Sequence, residues 1–179
     1  MKDELSETQE NILASLKPKK RKNSRAKGNA FENKVAKQLN ERFNTTDVSR
    51  TPGSGAFATT HKLPKHLQLH GDLITPQEFG FIVECKKGYN NLGLDSLLND
   101  KSKIWEWLDT LDRDTAAAEK PGFLLMAQDR RATLVITYRN EELEKTITKH
   151  TLIKNKHREY IMLTLEEFLS MPDSWFNIS

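Results

Sequence analysis

A single cysteine, Cys85, in 179 residues excludes a disulfide framework. Strand alternation turns Cys85 toward the interior, so a nucleophilic thiol is not expected there either. Long hydrophobic runs are missing too, since no stretch approaches the roughly 18 to 20 apolar residues of a membrane-spanning helix. The opening MKDELSETQE lacks the apolar segment of a signal peptide. A protein that stays inside the cell, with no membrane partner, is therefore expected. There are no internal repeats, and composition is biased only in one short basic run. What remains, with 36% hydrophobic and 30% charged residues, is one soluble domain with a sizeable core.

The net charge is only +3, but it is unevenly spread. Residues 1–27 hold eight basic and four acidic side chains, against 20 and 21 in residues 28–179. Lys17 to Lys27 contains no acid at all. This is expected to be a flexible arm whose Lys19, Lys20, Arg21, Lys22, Arg25 and Lys27 gain affinity from DNA phosphates by counterion release. A solvated linker is the plainer reading. Pro18–Lys22 also matches a nuclear import signal. The expected location is thus cytoplasmic or nucleoid-associated in a prokaryote or phage, with nuclear import open in a eukaryotic or viral setting.

From Gly28 the chain turns helical, because Phe31, Val35, Leu39 and Phe43 recur every four residues beside Ala30 and Ala36. Glu32 falls about 100° round from Phe31, on the flank of that stripe. There a glutamate is also an ordinary first-turn residue. Thr46–Arg50 reads as a strand, and Thr51-Pro52-Gly53-Ser54-Gly55-Ala56 as a sharp loop whose amides can approach a phosphate. Leu94 to Leu111 marks a long amphipathic helix on which Trp105 and Trp107 lie about 200° apart. One of the two is expected in the core, the other at a partner or DNA. Phe123–Ala127 and Ala132–Tyr138 read as a hairpin. Residues 140–156 read as an insertion without clear structure, and Tyr160–Leu163 as a last strand before a helix capped at Thr164.

The chemistry concentrates in Gly71–Lys87, GDLITPQEFGFIVECKK. On a strand, Glu84 and Lys86 share one face with Ile82 while Val83 and Cys85 share the other. If Asp72–Thr75 pairs back on Phe81–Lys86, Asp72 comes opposite Glu84. Two carboxylates side by side raise one another's pKa unless a cation intervenes. Oxygen donors of this kind suit Mg²⁺ or Mn²⁺ better than zinc, and a lysine beside them is equipment for phosphodiester hydrolysis. Taken alone, an acid-x-Lys strand is equally the wet face of an ordinary hairpin.

The order of the pieces is what distinguishes them. A helix carrying KGNAFENKVAKQL, then RTPGSGA, GDL and FIVECKK, resembles the PD-(D/E)xK nuclease superfamily. The likeness is greatest to the archaeal-type Holliday junction resolvases and their phage relatives, over about residues 27–138. It implies an α/β restriction-endonuclease-like core with a central mixed β-sheet flanked by helices. The expected organisation is the basic arm over 1–27, outside the likeness, and one nuclease domain over 28–179, whose matched core ends near 138 and whose residues 139–179 are a C-terminal extension beyond it. By the same likeness Asp72, Glu84, the Cys85 carbonyl and Glu32 hold Mg²⁺, with Mn²⁺ able to substitute. Lys86 is the catalytic lysine, and Arg50 and Ser54 lie on a mobile loop at the scissile strand, Ser54 counted with the catalytic group. Lys87 adds a DNA contact. The expected activity is paired nicking of a branched, four-way DNA junction by a homodimer. A restriction-like or DNA-repair endonuclease of the same superfamily is the alternative. A non-catalytic nucleic-acid-binding protein is a further one, though it needs none of Asp72, Glu84 and Lys86. Gly71 stands where the motif's name has proline.

Overall fold

The computed structural model describes residues 24–52, 70–76, 79–155 and 158–176. Its first element, α1 (Ser24–Phe43), begins four residues before the expected Gly28 and buries Phe31, Glu32, Val35, Ala36 and Leu39 on one side. Two short strands follow, β1 (Ser49–Arg50) and β2 (Leu73–Ile74), which pair antiparallel. Next comes β3 (Ile82–Lys87), apolar at its start and ending in the two lysines.

The helix expected from Leu94 is shorter at its N-terminal side. Leu94–Leu98 forms a 3-10 turn that leaves Leu94 and Leu98 exposed. The helix α2 (Lys103–Ala118) starts only after Ser102, whose hydroxyl accepts from the Ile104 N–H at 3.4 Å. The apolar periodicity ran through both, but a capping serine placed the boundary.

Strands β4 (Gly122–Ala127) and β5 (Leu134–Tyr138) form the expected hairpin. Beyond it the chain is more regular than the sequence suggests. Asn140 caps the short helix α3 (Glu141–Thr146), and the supposed insertion contains β6 (His150–Asn155), which pairs with β7 (Arg158–Thr164). Its apolar residues are sparse because β6 is an edge strand and buries only Ile153. The chain then forms α4 (Leu165–Leu169), capped by Thr164, and a final 3-10 turn over Asp173–Phe176.

The main sheet runs β3-β4-β5-β7-β6, with β3 parallel to β4 and the remaining pairs antiparallel. A parallel pair needs a long crossover, and α2 supplies it. The two sheet faces bury different sets. On one, Val83, Cys85, Phe123, Leu125 and Val135 pack with Phe31, Val35 and Leu39 of α1. On the other, Ile82, Leu124, Met126 and Ile136 pack with Ile104, Leu108 and Leu111 of α2. This is the helix-flanked mixed sheet that the family resemblance implies. Both Trp105 and Trp107 are buried, Trp107 edge-on to Tyr89 at 4.6 Å, so neither is presented to a partner. At the other end Phe176 is buried and Trp175 stacks on Phe81. Among the described residues, no helix is long and apolar enough to cross a membrane.

Candidate active site

β3 has no described strand partner on the side away from β4, and there the acidic residues gather. Ile82 donates its N–H toward β4, to the Pro121 carbonyl at 2.9 Å, while the Val83 carbonyl and the Cys85 N–H point the other way. Asp72 takes both: its N–H reaches Val83 O at 2.8 Å and its Oδ2 accepts from Cys85 N at 2.8 Å. Its own carbonyl accepts from Thr51 N at 2.9 Å. Asp72 is thus clamped between β3 and the end of β1. The contact is one backbone bond and one carboxylate bond, not the hairpin ladder expected of Asp72–Thr75, because β2 gives its ladder to β1. Since the N–H and C=O of one strand residue leave by the same edge, the Cys85 carbonyl opens on the side where Asp72 sits.

Glu84 is buried and hydrogen-bonded by the Lys86 ammonium two residues on, on the face shared with Ile82. Burial, and then the nearby Asp72 charge, push its carboxyl up to about 7. Burial works against the Lys86 charge as well, but the Glu84 carboxylate outweighs it and lifts the ammonium above its usual range. Lys86 therefore stays charged. The Cys85 thiol is driven well up by burial and by the surrounding carboxylates, which keeps it neutral and unreactive.

Glu32 arrives from α1 and is only 7% exposed. Burial and Asp72 raise its pKa, with Arg50 and Lys86 opposing. Arg50 Nη1 stands 3.7 Å from Glu32 Oε2, an ion-pair distance too long for a hydrogen bond. Among the described residues Oε2 is accordingly a buried oxygen with no hydrogen-bond partner. Such an atom is costly unless a cation or ordered ligand serves it.

Sequence reasoning passed over Asp114, on α2. Burial raises its carboxyl, His70 and Arg113 lower it, and Asp72 raises it again; Glu84 in turn feels Asp114. Its one signal was its place three residues after Leu111, on the flank of the helix's apolar stripe. Lys87 turns away from the cluster to pair with Asp129 at 3.1 Å, and Arg25 and Lys27 lie in the exposed first turn of α1. Ser54, Lys19, Lys20, Arg21 and Lys22 lie outside the described residues.

Three elements thus bring Glu32, Asp72 and Glu84 together beside Lys86 and Arg50. Among the described residues, no three Asp, Glu, His or Cys groups stand in ligating geometry, because Glu84 is turned onto Lys86 and Asp72 onto the Cys85 amide. The donor set nevertheless fits a hard divalent cation: it is all oxygen, burial and the Asp72 charge raise the carboxyls of Glu32 and Glu84, and among the described residues one buried oxygen has no hydrogen-bond partner.

A protein-family model described as phage putative PDDEXK endonuclease matches residues 23–177. The match takes in every residue of the cluster and continues through β6 and β7, beyond the 27–138 span of the motif resemblance. No curated protein and no solved structure matches the chain.

Proposed function

Because this chain belongs to the phage putative PDDEXK endonuclease family, whose members characteristically use divalent metals, we propose that it is a Mg²⁺-dependent structure-selective DNA endonuclease, a Holliday junction resolvase acting as a homodimer. The observation that carries the reading is the convergence of Glu32, Asp72 and Glu84 from three elements on one charged lysine. A non-catalytic binding module has no use for that arrangement, in which burial and then the Asp72 charge raise the pKa of Glu32 and Glu84.

Asp72, Glu84, the Cys85 carbonyl and Glu32 would hold the ion, with Mn²⁺ as a substitute. When bound, it lowers the pKa of its water and offsets charge on the phosphodiester. The protein's own residues do the rest. Lys86 remains protonated beside Glu84, so it is available to orient the attacking water and to stabilise charge that develops on the phosphoryl oxygens. Arg50 offers a further guanidinium at the edge of the cluster. Backbone clamping of Asp72 fixes its carboxylate before substrate arrives, which spares reorganisation during the reaction. Among the described residues no element stands out as a major-groove reader, which favours recognition of DNA shape.

Incubating the protein with a four-way junction, a flap and a linear duplex, each in Mg²⁺ and in EDTA and beside Glu84→Ala, tests this reading. Symmetrical nicks in the junction arms are expected, lost with chelator or in the variant. Cleavage by Glu84→Ala at the wild-type rate would sink the site. Equal cutting of linear duplex would keep the nuclease and reject the resolvase, and light scattering that finds only monomer on the junction would reject the dimer.

A further inference from the structure

Past the end of β3, beside the carboxylate cluster, lies a cleft of about 580 Å³ lined by Lys27, Asn90, Gln128, Asp129, Arg130 and Arg131. Its walls are the first turn of α1, the loop after β3 and the turn between β4 and β5, and the two loops are fastened to each other. Asn90 Nδ2 donates to Asp129 Oδ2 at 2.9 Å, and the Asp129 N–H donates back to Asn90 Oδ1 at 2.9 Å. Gln128, which is buried, donates from its amide to the carbonyls of Tyr89 at 2.8 Å and Leu92 at 2.7 Å. Its oxygen accepts from Arg131 Nη1 at 2.9 Å, so that guanidinium is held by one nitrogen and keeps other N–H groups for an external acceptor.

The charge in the cleft is one-sided. Asp129 is the single acid, held below its usual range by the Asn90 and Lys87 hydrogen bonds and by the Lys27 charge. Lys87 already balances it at 3.1 Å. That leaves Arg130 and Arg131 without an acidic ion-pair partner among the described residues, and Lys27 linked to Asp129 through its charge alone. Arg130 also holds a φ of 60°, a left-handed conformation that a non-glycine residue adopts at a cost, while its side chain is exposed. The cleft adjoins the carboxylates: Glu32 Oε1 lies 3.7 Å from where a Cβ on Gly28 would stand, so its carboxylate reaches back to the turn that carries Lys27. Lys87 likewise follows Lys86 directly.

We propose that this cleft is a phosphate-binding subsite, which seats the sugar–phosphate backbone of the DNA next to the phosphodiester to be cut. The inference rests on the nuclease reading. Forked guanidiniums match phosphate oxygens, and the rigid frame presents them without a cost in ordering loops. Contacts of this kind position the backbone and carry no base information.

Binding of a labelled four-way junction in EDTA, where cleavage is blocked, is measured across a salt series for wild type and for Arg130→Asn combined with Arg131→Gln. Asparagine tolerates the left-handed backbone, so the fold is retained, and circular dichroism checks it. The double variant is expected to bind roughly tenfold or more weakly, with a salt slope lower by about 2, since each lost phosphate contact removes about 0.9. In Mg²⁺ its kcat at saturating DNA stays close to wild type while KM rises. Lys149→Gln, an exposed cation just before β6, should leave all these quantities nearly unchanged. Unaltered affinity and slope in the double variant, a fall in kcat alone, or an equal loss in Lys149→Gln would each overturn the subsite. Weakened binding by the double variant of a protein that cuts no DNA in Mg²⁺ would uphold the subsite and reject the nuclease.

Discussion

Gly71 stands at φ +79°, with room so limited that a Cβ there would lie 2.7 Å from the Val83 carbonyl oxygen. Proline, fixed near φ −65°, cannot occupy this backbone. The glycine before Asp72 is therefore a requirement of how the chain enters the cluster. Its neighbour Glu84 determines how the protein responds to pH. Its carboxyl is displaced upward in the folded chain, from an ordinary 4.5 to about 7, so between those values the folded state holds more protons than the unfolded one. Stability in EDTA should then fall as pH rises through roughly 5 to 7 and level off above. Glu84→Gln, which cannot ionise, should flatten that decline, and at pH 8 should be more stable than wild type by about 1 to 3 kcal/mol, at about 1.4 kcal/mol per unit of displacement. Urea unfolding at four pH values checks this; parallel curves for the two proteins would refute it.

At the scale of elements, α2 is the piece whose placement matters most, since it brings Asp114 to the site and covers one face of the sheet. It is fastened across that face by Asp112. This carboxylate pairs with Arg158 and accepts from the hydroxyls of Tyr138 and Tyr160, the latter at 3.2 Å. Asp109, 3.2 Å from the same Arg158, is its exposed counterpart. Asp112→Ala leaves two phenols without their acceptor in a half-buried place and Arg158 with the exposed Asp109 as its remaining acid, and should cost about 2 to 3 kcal/mol. Asp109→Ala, whose side chain is 63% exposed, should cost less than about 1 kcal/mol. Chemical denaturation of both variants measures the difference, and equal losses would mean that Asp112 does not hold the helix. Little of this was legible in the sequence. The partners come from α2, β5 and β7, and no periodicity records which polar residues on separate elements will meet.

For the molecule as a whole, charge is divided between a body near neutrality and a basic N-terminal stretch. Removing residues 1–23, with Lys17, Lys19, Lys20, Arg21 and Lys22, should weaken DNA binding and flatten its salt dependence by several units if all five reach phosphates. Cleavage at saturating DNA should survive, because the cluster lies in the body. Fluorescence anisotropy across a salt series decides it, and an unchanged slope would make the stretch a passive linker. By itself the sequence determined the apolar stripes of α1 and α2, the strands β3 and β4, and the ordered set of acidic and basic residues, because each is a local pattern written at a fixed period. Glu32 shows where that stops. Its spacing put it on a helix flank, where a glutamate is ordinary, and only the packing of α1 against β3 made it a buried carboxylate with one oxygen that no described residue hydrogen-bonds. Asp114, the Gln128 hub and the cleft beside it likewise exist only after the loops close. Electrostatic coupling depends on distances in space, and tertiary structure alone decides which distant charges become neighbours.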